Sequence, residues 1–276
     1  MAEFTTSDGL KLYYEDSGTG QPVLALAGLT RNARDFDFMA PHLPGVHLIR
    51  MDYRGRGKSD YDPDFNNYNI IREAHDAVEL LDHLGLAQVA IIGTSRGGLI
   101  AMILAQMFKE RLRGVILNDI GPDISLGGLE RIIKYIGHDP DYASYDQAAE
   151  GLKSGLAKGF PDVSLERWRQ HAEHLWQAQG GRLRLRYDAK LGDAFQAQVD
   201  SGEVPDLWPL FDCLTGLPLA LIHGENSDLL EAATVEKMQA RHPGMIVATV
   251  PNRGHVPFLD EAQAMTAIKA LLELTL

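Results

Sequence analysis

Ser95 stands in the pentapeptide Gly93-Thr94-Ser95-Arg96-Gly97, between an apolar run suited to a buried strand (QVAII) and a helical pattern rich in small residues (GLIAMILAQMF). A Gly-x-Ser-x-Gly at a strand-to-helix turn holds its serine on a sharp, strained bend that exposes the hydroxyl. The glycines remove side chains that would block so tight a turn. The helix that follows points its positive end at the hydroxyl, where negative charge gathers during acyl transfer. These residue types at this spacing suit nucleophilic attack by Ser95 on a carbonyl carbon.

A serine hydroxyl needs a base to take its proton, and the base needs a third group to orient it. An acid and then a histidine are expected in loops after later strands. The run LALIH leads into Gly224-Glu225-Asn226-Ser227-Asp228, and MIVATVP leads into Asn252-Arg253-Gly254-His255. His255 is the expected base and Asp228 the favoured acid. Asp119, after GVILN, is the alternative acid, and Glu225 stands third. A developing oxyanion needs two backbone N–H donors. Arg96, next after the serine, offers one, and Leu29, in the loop after VLALAG, offers the other.

The elements that must carry these groups alternate between short apolar runs and amphipathic helical stretches, the pattern of a mostly parallel sheet wrapped by helices. Strands are expected at 10–17, 23–28, 46–52, 114–121, 217–224 and 245–252, with helices at 68–85, after Ser95, and over FLDEAQAMTAIKALLEL at the end. Residues 122–210 break the rhythm with helical patterns and no obvious buried strand. We read 1–121 and 211–276 as the core and 122–210 as a helical cap insertion over the sheet's carboxyl edge, where open α/β sheets bind ligands. Trp168, Trp176 and Trp208 lie in that insertion, and with Arg31 they are the candidate substrate-pocket residues. Each tryptophan could equally pack a small core of the insertion itself.

Bulk composition narrows the function classes. The 276 residues include 38 acidic and 26 basic side chains, a formal charge of −12, which argues against a nucleic-acid partner. No stretch reaches the apolar length of a membrane span, and no basic-then-apolar leader opens the sequence, so a cytoplasmic protein with no membrane partner is expected. The single cysteine, Cys213, excludes an internal disulfide.

Ser95, Asp228, His255, the Gly28-Leu29 loop and the turn DYRGRGKSD together resemble the α/β-hydrolase superfamily, and more narrowly its capped bacterial serine hydrolases. That resemblance implies an eight-stranded, mostly parallel sheet flanked by helices, a Ser-His-Asp triad at the sheet's carboxyl edge, and no cofactor. It implies hydrolysis of a small-molecule ester or lactone through an acyl-enzyme, with carbon–carbon hydrolysis of a dicarbonyl compound or non-catalytic ligand sensing as alternatives. Two positions depart from the family pattern: Ala27-Gly28 stands where many members have His-Gly, and Arg96 where many have Met, Gln or Trp. The Arg96 guanidinium is expected to brace a neighbouring loop.

Other patterns are set aside. GRGKS (55–59) ends like a phosphate loop, but Asp52 occupies the first glycine's place and Asp-Tyr-Asp-Pro follows instead of a helix. Asp62, Asp64, Asn66 and Glu73 have calcium-loop spacing, but Asn67 replaces the required glycine. His171 and His174 lack an evident third metal ligand and read as a surface pair, and Arg182, Arg184 and Arg186 as a solvated strip. No metal is expected.

Overall fold

The computed structural model describes residues 2–200 and 205–276. The chain opens with β1 (Ala2–Thr5), β2 (Lys11–Ser17), β3 (Gln21–Leu26) and β4 (Val46–Met51), then helix α1 (Ile70–His83), β5 (Val89–Thr94), α2 (Arg96–Met107) and β6 (Leu112–Asn118). An excursion follows: α3 (Leu126–Tyr135), α4 (Tyr145–Leu156), α5 (Leu165–Leu175), the hairpin β7 (Trp176–Gln179) and β8 (Arg182–Leu185), and α6 (Leu191–Asp200). The chain returns through α7 (Trp208–Asp212), β9 (Leu219–Gly224), α8 (Ala232–Arg241), β10 (Ile246–Val250) and α9 (Ala262–Leu274).

Eight strands form one sheet in the order β1-β2-β4-β3-β5-β6-β9-β10, antiparallel at β1-β2-β4 and parallel from β4 onward. The expected eight-stranded, mostly parallel sheet is present. Every residue of β5 and of β9 is buried, as continuous apolar runs demand when helices cover both faces. α2 packs on β5, β3 and β6, α1 packs against α2, and α9 covers β9 and β10. The helix expected over 68–85 starts at Ile70, because the Asn69 side chain caps it by accepting from the N–H groups of Ile71 and Arg72.

Several elements escaped the sequence reading, among them β1, the β7–β8 hairpin and α8. β1 is only four residues and pairs at the sheet's edge. The β7–β8 hairpin turns on Gly180-Gly181, both at positive φ (61° and 76°), which is the signal that alternation in RLRL could have flagged. Of the segment 122–210, residues 201–204 lie outside the described residues. The described rest consists of helices joined by loops, plus this hairpin, whose Leu183 is buried against Ala148 and Ala172. The segment is stitched to the core where Gly57 N–H donates to the Arg186 carbonyl (2.7 Å) and Asp188 N–H to that of Gly55 (2.8 Å).

Candidate active site

Parallel pairing brings the carboxyl ends of β5, β6 and β9 side by side, so residues just past Thr94, Asn118 and Gly224 become neighbours. Ser95 follows β5 at φ 50°, an uncommon conformation for a non-glycine residue. The flanking glycines are sterically required. A Cβ on Gly97 would lie 2.0 Å from the Leu26 carbonyl oxygen, and one on Gly93 would lie 2.6 Å from that of Gly97. Asp119 follows β6, also at positive φ (55°).

His255 bridges the two. Its Nε2 lies 2.9 Å from Ser95 Oγ and its Nδ1 lies 2.8 Å from Asp119 Oδ2. Asp119 is fully buried and further held: Ser227 Oγ donates to Oδ2 (2.6 Å) and Gly224 N–H donates to Oδ1 (2.8 Å). This corrects the favoured acid. Asp228 is exposed and ion-pairs with Arg131, away from the histidine. The end of β9 and the loop after it contribute to the site through the Gly224 amide and Ser227, which orient the carboxylate that follows the adjacent strand. Glu225 is also elsewhere, accepting from Asn252 N–H. Asn118 donates to the Pro257 carbonyl (3.2 Å) and to Thr94 Oγ1 (3.2 Å), tying the histidine loop to the strand ends.

The two candidate oxyanion donors are Leu29 and Arg96. Neither backbone amide donates to another group among the described residues. Their surroundings are tightly built. Buried Glu73 sits between two arginines: Arg96 Nε donates to its Oε2 (2.7 Å), and Arg56 Nη1 lies 2.9 Å from Oε1 without the alignment of a hydrogen bond. Arg56 Nε donates to the Leu29 carbonyl (3.1 Å), and Arg96 Nη2 to that of Tyr68 (3.0 Å). The Arg96 side chain thus braces, as expected. Glu73 and Arg56 were missed, since their roles depend on groups brought together from four separate segments.

The turn DYRGRGKSD is part of this frame. Asp52 accepts from the N–H groups of Ala33 (2.6 Å) and Lys58 (2.8 Å), and burial pushes its carboxyl up to about 6. Arg54 is fully buried and bonds Asp76 through two nitrogens, each 2.7 Å, and Asp62 through a third. Asp62, first residue of the calcium-like spacing, is therefore held as a structural counter-ion.

A cavity of about 560 Å³ opens over Ser95, lined by Leu29 and His255 from the core and by Ile132, Tyr135 and Trp176 from the excursion. This volume suits a small-molecule ligand. Arg31 and Trp176 line it. Trp168 is buried against Phe160 and Phe258 and borders a second space of about 20 Å³ beside His255. Trp208 does not reach either space: its Nε1 donates to Asp123 and its ring packs on Phe211 under the Arg241 guanidinium.

His171 and His174, expected at the surface, are buried and face the core. His171 Nε2 lies 2.8 Å from Arg31 Nη1. Burial above all, with Arg31 beside it, holds His171 protonation well below its ordinary range. His174 is pushed down to about 3 by burial and by the nearby arginines, which outweigh Asp37 at 3.5 Å. Arg182 and Arg184 are exposed and paired with Asp141 and Asp139, whereas Arg186 donates inward to the Trp176 carbonyl. Among the described residues no helix is long and apolar enough to cross a membrane.

A family model described as alpha/beta hydrolase fold matches residues 21–262. The chain is 35% identical to the 3-hydroxybutyrate-oligomer hydrolase of Cupriavidus necator, over 92% of this chain and 90% of that protein. It is 26% identical to the 2-(acetamidomethylene)succinate hydrolase of Mesorhizobium japonicum, over 95% and 90%. The crystal structure of an alpha/beta hydrolase from Novosphingobium aromaticivorans superposes with a TM-score of 0.92 at 39% identity, covering 99% of this chain and 97% of that one.

Proposed function

The chain belongs to the alpha/beta hydrolase fold family, and from that premise we propose that it hydrolyses small carboxylic esters or lactones with Ser95, His255 and Asp119. The observation that carries this reading is His255, set between Ser95 Oγ at 2.9 Å and Asp119 Oδ2 at 2.8 Å. His255 takes the hydroxyl proton as Ser95 attacks the carbonyl carbon. The Leu29 and Arg96 amides hold the oxyanion of the tetrahedral intermediate. His255 then protonates the departing alkoxide. Water, deprotonated by the same ring, releases the acid from the acyl-enzyme. Asp119 holds the imidazole in the working tautomer and stabilises its charged form.

In this reading residues 122–210 act as a cap, closing the cavity over Ser95 and setting which acyl and alcohol groups fit. Two points support an ester substrate: the cavity's apolar wall of Leu29, Ile132, Trp176 and Leu229, and the 35% identity to a protein named as a 3-hydroxybutyrate-oligomer hydrolase.

The test is hydrolysis of p-nitrophenyl esters from acetate to octanoate, and of a linear 3-hydroxybutyrate trimer, by wild type and Ser95→Ala. Turnover that falls about 10⁴- to 10⁶-fold in the variant is expected. A well-folded wild type that leaves every ester intact sinks the reading, and a coloured dicarbonyl ring-cleavage product is then the substrate to try.

A further inference from the structure

We propose that the esters this cavity takes carry a free carboxylate within a few carbon atoms of the scissile carbonyl, and that Arg31 binds it. The proposal rests on the ester-hydrolase reading above and names the substrate class for that site.

Arg31 lies two residues past Leu29, and its stem leaves the backbone beside the nucleophile. A Cβ placed on Gly28 would sit 3.2 Å from Arg31 Cγ and 3.9 Å from Ser95 Cβ. Arg31 lines the 560 Å³ cavity together with Ser95 and His255, and its side chain is 24% exposed. It is anchored through one nitrogen only. Nη1 donates to Asp35 Oδ1 (3.2 Å) and lies 2.8 Å from His171 Nε2. Nε and Nη2 have no partner among the described residues.

The anchor favours this orientation. His171 is buried and stays neutral, so its Nε2 lone pair accepts from the guanidinium. The open Nε–Nη2 edge is the fork that matches the two oxygens of a carboxylate. A wholly apolar substrate would cover this edge, strip its water and leave its donors unpaired, which costs binding free energy.

The other charged groups of the cavity wall are mostly ion-paired. Asp139 and Asp141 line the cavity but are ion-paired with Arg184 and Arg182, and Arg131 is held by Asp228. The remaining positive charge of the wall, Lys134, adds attraction of the same sign.

The experiment compares esters matched in length that differ by the carboxylate. The acyl-side pairs are monoethyl succinate with ethyl pentanoate and monoethyl glutarate with ethyl hexanoate. The alcohol-side pair is O-butanoylglycolate with propyl butanoate. All are followed by pH-stat. The wild type is expected to favour the acid in at least one pair by about tenfold or more in kcat/KM, the scale of a charge-assisted hydrogen-bonded pair. Arg31→Met should erase that preference, mainly by raising KM for the acid, and Arg31→Lys should keep part of it. Because Arg31→Met strands Asp35, the Arg31→Met/Asp35→Asn double variant serves if the single one does not fold. Equal turnover within every pair by wild type, or a loss in Arg31→Met shared equally by acid and neutral ester, overturns the proposal. Silence on every ester takes down the parent reading and this proposal with it.

Discussion

The Asp119 carboxylate lies 2.8 Å from His255 Nδ1 although 136 residues separate the two, because β6 and the loop after β10 both end at the edge where β5 presents Ser95. Ser227 Oγ and the Gly224 amide fix the same carboxylate from the neighbouring strand.

That geometry separates the two candidate acids experimentally. Asp119→Asn should lower kcat by about 10³- to 10⁴-fold, since the amide can hold the ring but favours the wrong tautomer and cannot stabilise its charge. Asp228→Asn removes only an exposed pair with Arg131 and should stay within about threefold of wild type. Steady-state kinetics on one ester decides it, and the opposite ranking would return the role to Asp228.

Glu73 should matter to catalysis without touching substrate. Its carboxylate contacts Arg96, whose amide faces the proposed oxyanion, and Arg56, which holds the Leu29 carbonyl. Glu73→Gln should lower kcat by about 10- to 100-fold, less than loss of a whole oxyanion donor costs at its upper range, and leave KM within about threefold. Affinity for a boronic acid that mimics the tetrahedral intermediate should fall in parallel with kcat/KM. A drop in melting temperature with unchanged boronate affinity would show Glu73 to be a fold element only.

Acid should destabilise the protein through His174. In the fold this ring gains its proton only near pH 3, whereas in the unfolded chain it does so near 6.5. The unfolded state therefore binds more protons below pH 6.5. The group contributes no penalty above that pH and costs up to about 1.4 kcal/mol per pH unit as pH falls toward 3. Urea unfolding at pH 7, 6 and 5 should show a shallower loss of stability in His174→Gln than in wild type. Parallel curves would mean the ring is charged in the fold.

Two glycines give opposite signs for the same substitution. Gly97→Ala drives a Cβ to within 2.0 Å of the Leu26 carbonyl oxygen, and should cost about 3 kcal/mol or more, or prevent folding. Gly155 lies in α4 with nothing within 4 Å of its Cβ position, so Gly155→Ala should stabilise by roughly 0.5–1 kcal/mol. Melting temperatures of the pair check the sign directly.

The local patterns were legible because they are short-range physics. Gly93-Thr94-Ser95-Arg96-Gly97 needs its glycines for a turn completed within a few residues, and the all-apolar β5 and β9 need burial on both faces. Those alone determined the doubly covered parallel sheet, the half-buried serine on the turn at its edge, and the histidine on a late loop. The choice between Asp119 and Asp228 was not local. Both follow strands and both are carboxylates, and only the strand order, with β6 between β5 and β9, puts Asp119 against the ring and sends Asp228 to Arg131. The same holds for His171 and His174. Helical spacing made them look like a surface pair, and packing against Phe38 and Phe258 buried them. Spacing along a chain records what neighbours three or four residues away require. Which charges lose their water, and which partner each then meets, depends on segments a hundred residues apart, and that was decided only by the tertiary structure.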